Sequence, residues 1–367
     1  MKFVISRDAL LKPLNLVAGV VERRQTLPIL ANVLVVLDGD KLSLTGTDLE
    51  VELVGRVQLS SPGDSGEITV PARKLVDICK SLPEGSDIEL SSNENKVTVK
   101  SGRSRFTLST LPPRDFPNVE DSQGTHQFSL RQGQLKRLID RTAFAMAQQD
   151  VRYYLNGMLW ELKSGRLRVV ATDGHRLAMC TLPGTVDVTE DTQVILPRKG
   201  VIELSKLLLE DEAEIAVVIG SNHIRATTRD FTFTSKLVDG KFPDYQRVLP
   251  KTPDKILMGD RLELRQAFTR TAILSNEKYR GVRLQLTSGS LQIVANNPEQ
   301  EEAEEVVSVD FEGDMLEIGF NVSYLLDVLG VLSGAAIKFS LSDPNSSALV
   351  EESEDGDSLY VVMPMRL

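Results

Sequence analysis

The chain has 367 residues, of which 41% are hydrophobic and 26% charged, with a formal net charge of −10. That balance is ordinary for a globular protein and gives room for two or three domains, each with its own core. The longest apolar stretch, Leu27 to Leu37, is broken by Pro28 and Asn32 and is too short for a bilayer span. MKFVISRDAL reaches Ser6, Arg7 and Asp8 before an apolar h-region can form, so no secretory signal is expected.

The first 24 residues predict an amphipathic helix over 6–24, and the same pattern of apolar residues three and four apart returns over 129–147 and 259–275. In the second, Leu135, Leu138 and Ile139 form a stripe that Ala143 and Met146 extend; Ser6, Ser129 and Asp260 are the expected N-caps. Strands follow each helix. Leu42 and Leu44, then Leu49, Val51 and Leu53, alternate with polar residues, and LDGDKL, KSGRL and TSGSL carry hairpin turns.

These elements occur three times. ILANVLVVLDGDKLSLTGTDLEVEL (29–53), YYLNGMLWELKSGRLRVVATDGHRL (153–177) and EKYRGVRLQLTSGSLQIVANNPEQE (277–301) place Asn32, Asn156 and Arg280 at one position, since 156 − 32 = 124 and 280 − 156 = 124. Residues 69–82, 195–208 and 319–332 repeat a second helix, and each repeat closes on an apolar residue before Pro117, Pro243 or Pro364. A period this long is a domain, not a solenoid unit. The reading is α+β: three tandem domains at 1–122, 127–246 and 247–367, each with two helices covering one face of roughly eight antiparallel strands.

Acid is concentrated in PEQEEAEE (298–305) and EESEDGD (351–357). The outward faces of the helices read as basic: Arg7, Lys12, Arg23, Arg24, Arg73, Lys74 and Lys80; then Arg131, Lys136, Arg137, Arg141, Arg198, Lys199 and Lys206; then Arg261, Arg265 and Arg270. For phosphate binding the distribution of charge matters more than its sum. Cys79 and Cys180 sit in apolar patterns and read as buried, reduced thiols of a cytoplasmic protein. No phosphate-cradling glycine loop, C-x-x-C or H-E-x-x-H occurs, so no metal or cofactor is expected. Thr172-Asp173-Gly174-His175-Arg176 could supply an acid and a base. Its counterparts Thr47-Asp48-Leu49 and Asn296-Asn297-Pro298 carry no histidine, which favours a turn whose Asp caps backbone N–H groups. The tail Tyr360–Leu367 is apolar to its end; a final strand accounts for Val361 and Met363, and an adaptable pocket for Met365 and Leu367.

Together with TLPIL, SLTGTDLE, VPARK, SGRSRF, DVRYYLNGML, ATDGHRLA, ILPRKGVIEL, FTSKLVDGKFPDY, AILSNEKYRGVRL, EIGFNVSYLLDVL and VVMPMRL, these features resemble, over the full length, the beta sliding clamp family of bacterial DNA polymerase III. The resemblance implies two chains closed head to tail into a ring around duplex DNA, and spacing estimates agree. At about 8–10 Å between packed helices, six helices enclose a hole too small for a duplex, whereas twelve leave about 25 Å.

The resemblance also implies non-catalytic processivity, with duplex and primed DNA, polymerase subunits, the clamp loader and other replication and repair proteins as partners, and no membrane. DNA contacts would come from Arg24, Arg73, Gln149, Tyr153 and Tyr154. A pocket for short hydrophobic peptides would comprise Leu155, Thr172, Gly174, His175, Arg176, Leu177, Pro243, Arg247 and Val248, with Val361, Met363, Pro364, Met365, Arg366 and Leu367. The dimer seam would pair Lys74, Lys96, Arg103 and Arg105 with Glu299, Glu301, Glu302, Glu304 and Glu305, and pack Phe106 and Leu108 on Ile273 and Leu274. Two other readings remain open at this point: a nucleic-acid enzyme using Asp173 and His175, and an adaptor that never touches DNA.

Overall fold

The computed structural model describes residues 1–21, 27–117, 124–184, 186, 188, 190–251, 253–353 and 356–366. The first repeat runs β1 (Lys2–Ser6), α1 (Arg7–Val20), β2 (Asn32–Asp38), β3 (Lys41–Thr47), β4 (Val51–Gln58), β5 (Gly66–Pro71), α2 (Ala72–Ser81), β6 (Asp87–Asn93), β7 (Lys96–Ser101) and β8 (Ser104–Ser109). The second runs β9 (His126–Arg131), α3 (Gln132–Thr142), β10 (Gly157–Lys163), β11 (Arg166–Thr172), β12 (Arg176–Pro183), β13 (Thr192–Pro197), α4 (Arg198–Ser205), β14 (Glu214–Ile219), β15 (His223–Thr227) and β16 (Phe231–Lys236). The third runs β17 (Lys255–Asp260), α5 (Arg261–Ala272), β18 (Gly281–Thr287), β19 (Ser290–Asn296), β20 (Glu302–Ser308), β21 (Leu316–Asn321), α6 (Val322–Val331), β22 (Ala336–Leu341), β23 (Ala348–Glu352) and β24 (Ser358–Val362).

These elements pack into two bodies that cut across the repeats, Met1–Leu135 with Lys199–Leu237, and Lys136–Arg198 with Val238–Leu367. The first body holds an antiparallel eight-stranded sheet, β5-β2-β3-β4-β16-β15-β14-β9, and a four-stranded one, β1-β6-β7-β8. In the second body the eight-stranded sheet runs β13-β10-β11-β12-β24-β23-β22-β17 and the four-stranded one β20-β19-β18-β21. Each large sheet therefore joins the third strand of one sheet-forming quartet to the last strand of the next repeat. The two small sheets leave β8 and β20 as edges.

The helices form as their patterning requires. Leu10, Leu14, Val17 and Val20 of α1 are buried against β3 and β4. Gly46 makes that approach possible, because a Cβ there would lie 2.7 Å from the Val17 carbonyl oxygen. Ser6 and Asp260 cap as expected, accepting from the N–H of Ala9 and Glu263 at 3.3 and 2.8 Å. Ser129 does not. It lies in β9 opposite Ala216, α3 begins only at Gln132, and the Gln134 side chain reaches back to the Arg131 N–H at 3.0 Å. The helix also ends at Thr142, with Ala143–Ala145 in a 3₁₀ turn. The turn glycines Gly39, Gly165 and Gly289 all take positive φ.

Two further sequence expectations need correction. Strand pairing places Asn32 opposite Pro71, Gly157 opposite Pro197 and Gly281 opposite Asn321. Asn32 therefore matches Gly157 and not Asn156, and equivalent strands start at Lys41, Arg166 and Ser290, steps of 166 − 41 = 125 and 290 − 166 = 124. Asn156 is instead held by the preceding loop, accepting from the Asp150 N–H and donating to the Asp150 carbonyl. The second correction concerns the basic helix faces. Arg141 is buried on Glu352, Arg7 donates to the Cys79 carbonyl, Arg198 to Met146 and Arg261 to Gly334 and Leu329. Much of that charge closes helix ends and ion pairs. Lys12, Arg73, Lys74, Lys80 and Arg265 stay exposed, while Arg23 and Arg24 fall outside the described residues.

Both cysteines are buried and free, and burial pushes the Cys79 thiol up to about 11. Among the described residues no helix is long and apolar enough to cross a membrane.

Candidate protein-interaction site

The turn after β11 is built by its own side chains. The Thr172 hydroxyl donates to the Arg176 carbonyl and accepts from the Gly174 N–H. One Asp173 oxygen accepts the N–H groups of His175 and Arg176 at 2.9 and 3.0 Å, and the other takes the Arg176 Nε. The first repeat makes the same turn, with Thr47 on Val51 and Leu49, and Asp48 on Glu50 and Val51. In the third, Asn297 Oδ1 accepts from the Glu301 N–H. Asp173 is thus spent on backbone and arginine, as the turn reading expects, and the His175 ring stacks on Tyr324 with centroids 6.5 Å apart.

Arg176 fixes that turn to α6. Its guanidinium pairs with Asp173 and Asp327, donates to the Phe144 carbonyl and lies over the Phe144 and Tyr324 rings. Beside it opens a cleft of about 170 Å³ lined by Arg152, Leu155, Thr172, Gly174, Arg176, Leu177, Pro243, Asp244, Tyr245, Val248, Val361 and Met363. Its floor is the buried cluster of Leu155, Leu177, Tyr245 and Val361. A larger polar cleft of about 760 Å³ adjoins it, sharing Val248 and Met363 and adding Arg247, Asp343 and Ser346. At the rim Met363 is 38% exposed, its N–H donating to the His175 carbonyl at 3.0 Å.

Of the fifteen residues expected for a peptide pocket, nine line this cleft and Arg247 lines its neighbour. His175 lies outside on Tyr324. Met365 is half-buried and donates its N–H to Gly319 on β21, so the tail past β24 is tied to a strand edge; Pro364 is half-buried and Arg366 exposed. Leu367 lies outside the described residues. Sequence reasoning missed Arg152, Asp244 and Tyr245. Arg152 grips Asp150 through Nε and Nη2 at 3.0 and 2.8 Å and touches the Asp173 carbonyl. A Cβ on Gly174, whose φ is +89°, would sit 2.9 Å from Arg152 Nη1.

The first repeat differs at the positions that build this cleft. Through the shared turn, Gly174 corresponds to Leu49, Leu177 to Glu52 and Met363 to Lys236. A side chain fills the glycine's place, and the apolar wall and rim have become charged.

The other expected residues separate into two groups. Gln149 is exposed with φ +56°. Tyr153 is 56% exposed and edge-on to Tyr154 at 5.7 Å, while Tyr154 packs on the buried cluster. Arg73 is exposed on α2, and Arg24 lies outside the described residues. Of the seam residues, Arg105, Phe106 and Leu108 lie along the β8 edge, and Glu302, Glu304 and Glu305 along the β20 edge. Lys74, Lys96, Arg103, Glu299 and Glu301 are exposed, Leu274 is half-buried, and Ile273 is 75% exposed. Glu305 is already held by Arg270 through two hydrogen bonds.

Residues 1–120, 129–244 and 246–366 match the N-terminal, central and C-terminal domains of the DNA polymerase III beta subunit. Over the whole of both chains, the sequence is 67% identical to the beta sliding clamp of Pseudomonas aeruginosa and 55% identical to that of Escherichia coli. The structure superposes on the P. aeruginosa sliding clamp bound to griselimycin with a TM-score of 0.97 at 67% identity, covering all of both chains. For the Bartonella birtlesii clamp bound to the same compound the TM-score is 0.96 at 40% identity, again over all of both chains. The chain belongs to the DNA polymerase III beta subunit family, the beta sliding clamps.

Proposed function

We propose that two copies close head to tail into a ring around duplex DNA, and that the ring tethers polymerase by holding a short hydrophobic peptide in the cleft beside Gly174. One observation carries the reading: β4 pairs with β16 and β12 with β24, whereas their counterparts β20 and β8 are edges. Exposed sheet edges of this kind invite pairing, and here a second copy offers the matching one.

The register follows from the internal junctions. Thr232 faces Val54 and Leu359 faces Met179; the equivalent residues are Arg105 and Glu304. Transferring that register sets Arg105 opposite Glu304 of the partner subunit on the solvent face. It sets Phe106 opposite Ala303 of the partner subunit on the inner face, where both residues are half-buried in one copy. Opposite charges directly across a ladder stabilise it.

Enclosure needs only weak, sequence-independent attraction to phosphate, supplied by exposed helix cations such as Lys12 and Arg265, and it permits sliding. Tyr153 offers a ring to an unpaired base near a primer end. In this reading the chain itself is non-catalytic and works in the cytoplasm with primed DNA, polymerase subunits, the clamp loader and repair proteins. The test compares clamp loaded on a closed DNA circle before and after the circle is cut. Retention on the circle and loss from its ends is expected; equal retention on both refutes enclosure.

A further inference from the structure

We infer that Arg73 crosses the seam between two copies of the chain, its guanidinium binding the carboxylate of Glu301 of the partner subunit. The inference rests on the head-to-tail reading above and adds a role that neither the edge strands nor the apolar pair Ile273 and Leu274 supply.

Arg73 has a counterpart in each of the other repeats. Pro71, Pro197 and Asn321 pair with the first residues of β2, β10 and β18, and the second helix of each repeat starts at the next residue. Arg73, Lys199 and Ser323 are therefore equivalent, each the second residue of its helix.

What Lys199 does is visible. Its ammonium pairs with Asp48, the turn acid of the preceding repeat, whose side chain is only 5% exposed, and donates to the Val20 carbonyl at the end of α1. Asp48 thereby caps its own turn with one oxygen and takes a cation from the next repeat with the other. In the second body the turn acid Asp173 is again tied to the following repeat's second helix, through Arg176 to Asp327 on α6. Ser323 needs no charge there because Arg176 supplies it.

The third repeat has the turn without a following helix in its own chain. Asn297 replaces the acid, and its amide nitrogen holds the Glu301 carboxylate at 2.6 Å. A carboxylate is thus presented where Asp48 presents its own. The residue that reaches such a carboxylate is the second of the next repeat's second helix, which across a head-to-tail seam is Arg73. Among the described residues Arg73 is exposed and no hydrogen bond or ion pair occupies it within its chain. The last carbonyl of α5 already accepts from Arg280 Nη1 of its own chain at 3.1 Å, so the carboxylate is what a cation from across the seam can take, and a guanidinium binds a carboxylate through two parallel hydrogen bonds.

Sedimentation equilibrium over a dilution series tests this with the full chain. Arg73→Ala is expected to raise the dimer dissociation constant tenfold or more, and Arg73→Glu further. Combining Arg73→Glu with Glu301→Arg should recover most of the loss, which a role in phosphate binding alone cannot produce. A dimeric parent whose Arg73→Ala variant dissociates no more readily overturns the seam role while leaving the dimer standing. A monomeric parent overturns the head-to-tail reading and this inference with it. Because Arg73 is exposed, unchanged circular-dichroism melting of the dilute chain checks that each variant folds.

Discussion

Arg141 and Glu352, 211 residues apart, form a buried ion pair at 2.9 Å that fastens α3 to β23. Glu352 also accepts the N–H groups of Ser333 and Gly334 at 2.6 and 2.9 Å, and Ser333 Oγ accepts from Arg141 at 2.7 Å. Burial pushes the Glu352 carboxyl upward, but the Gly334 and Ser333 N–H groups and Arg141 outweigh it and hold it at about 2, against an ordinary 4.5. A depressed carboxylate stabilises the fold above its unfolded value and loses that contribution as pH falls through the folded one. Stability should therefore drop between pH 4.5 and about 2. Glu352→Gln should flatten that part of the profile and cost about 3–5 kcal/mol at neutral pH, because Arg141 is left buried and unpaired. Thermal melts against pH check both; a variant that keeps the parent's acid profile removes Glu352 as its source.

Gly174 governs the cleft. Gly174→Leu puts a side chain where Arg152 Nη1 now lies, at a φ of +89°, and strains the backbone by about 1–2 kcal/mol. The expected result is loss of peptide binding with the dimer intact, read by calorimetric titration of a polymerase tail peptide. The mirror change tests the same geometry. Leu49 holds φ +77°, so Leu49→Gly should raise the melting temperature or leave it level, where glycine elsewhere in a strand-end loop would lower it.

At the seam, Arg105→Glu should weaken the dimer and Glu304→Arg should restore it, since the transferred register makes them direct partners. Adding salt should weaken the parent more than a variant in which Arg105 and Glu304 are both replaced by alanine, because the other charge pairs of the seam remain. Ile273→Ala with Leu274→Ala, which removes apolar surface that is 75% exposed at Ile273 in one copy, should leave the chain largely monomeric at concentrations where the parent is dimeric. Sedimentation of a dimer by that double variant would refute the apolar half of the interface.

Three copies of one pattern made the fold legible, because each repeat's helix stripe and hairpin turns corroborate the others. Register was less legible. Asn32 and Asn156 look equivalent, yet Asn32 donates to Thr69 Oγ1 while Asn156 closes the loop at Asp150. The Thr-Asp turn was readable from its recurrence without a histidine. Arg141 patterns as a surface cation because its acid lies 211 residues away, beyond any helical or strand periodicity. Arg152 escapes notice for the same physical reason: it reaches the cleft through the Asp173 carbonyl beside Gly174, a contact across 21 residues and two elements.

The tail supplies the last expectation. Met363 forms the cleft's rim and hydrogen-bonds His175, while Met365 hydrogen-bonds Gly319 at the β21 edge. Deleting Met363 to Leu367 removes both tethers but no residue of β24, which ends at Val362. The dimer and its retention on circular DNA should persist, with at most a modest drop in melting temperature. Peptide binding should disappear, because a bound Leu- or Phe-sized anchor gains about 1.5–3 kcal/mol from burial, and ordering the peptide consumes much of that. Losing the apolar rim at Met363 then takes a micromolar site below detection. Calorimetric titration of a polymerase tail peptide against the truncated chain decides the matter, and unchanged affinity refutes the cleft as the peptide site.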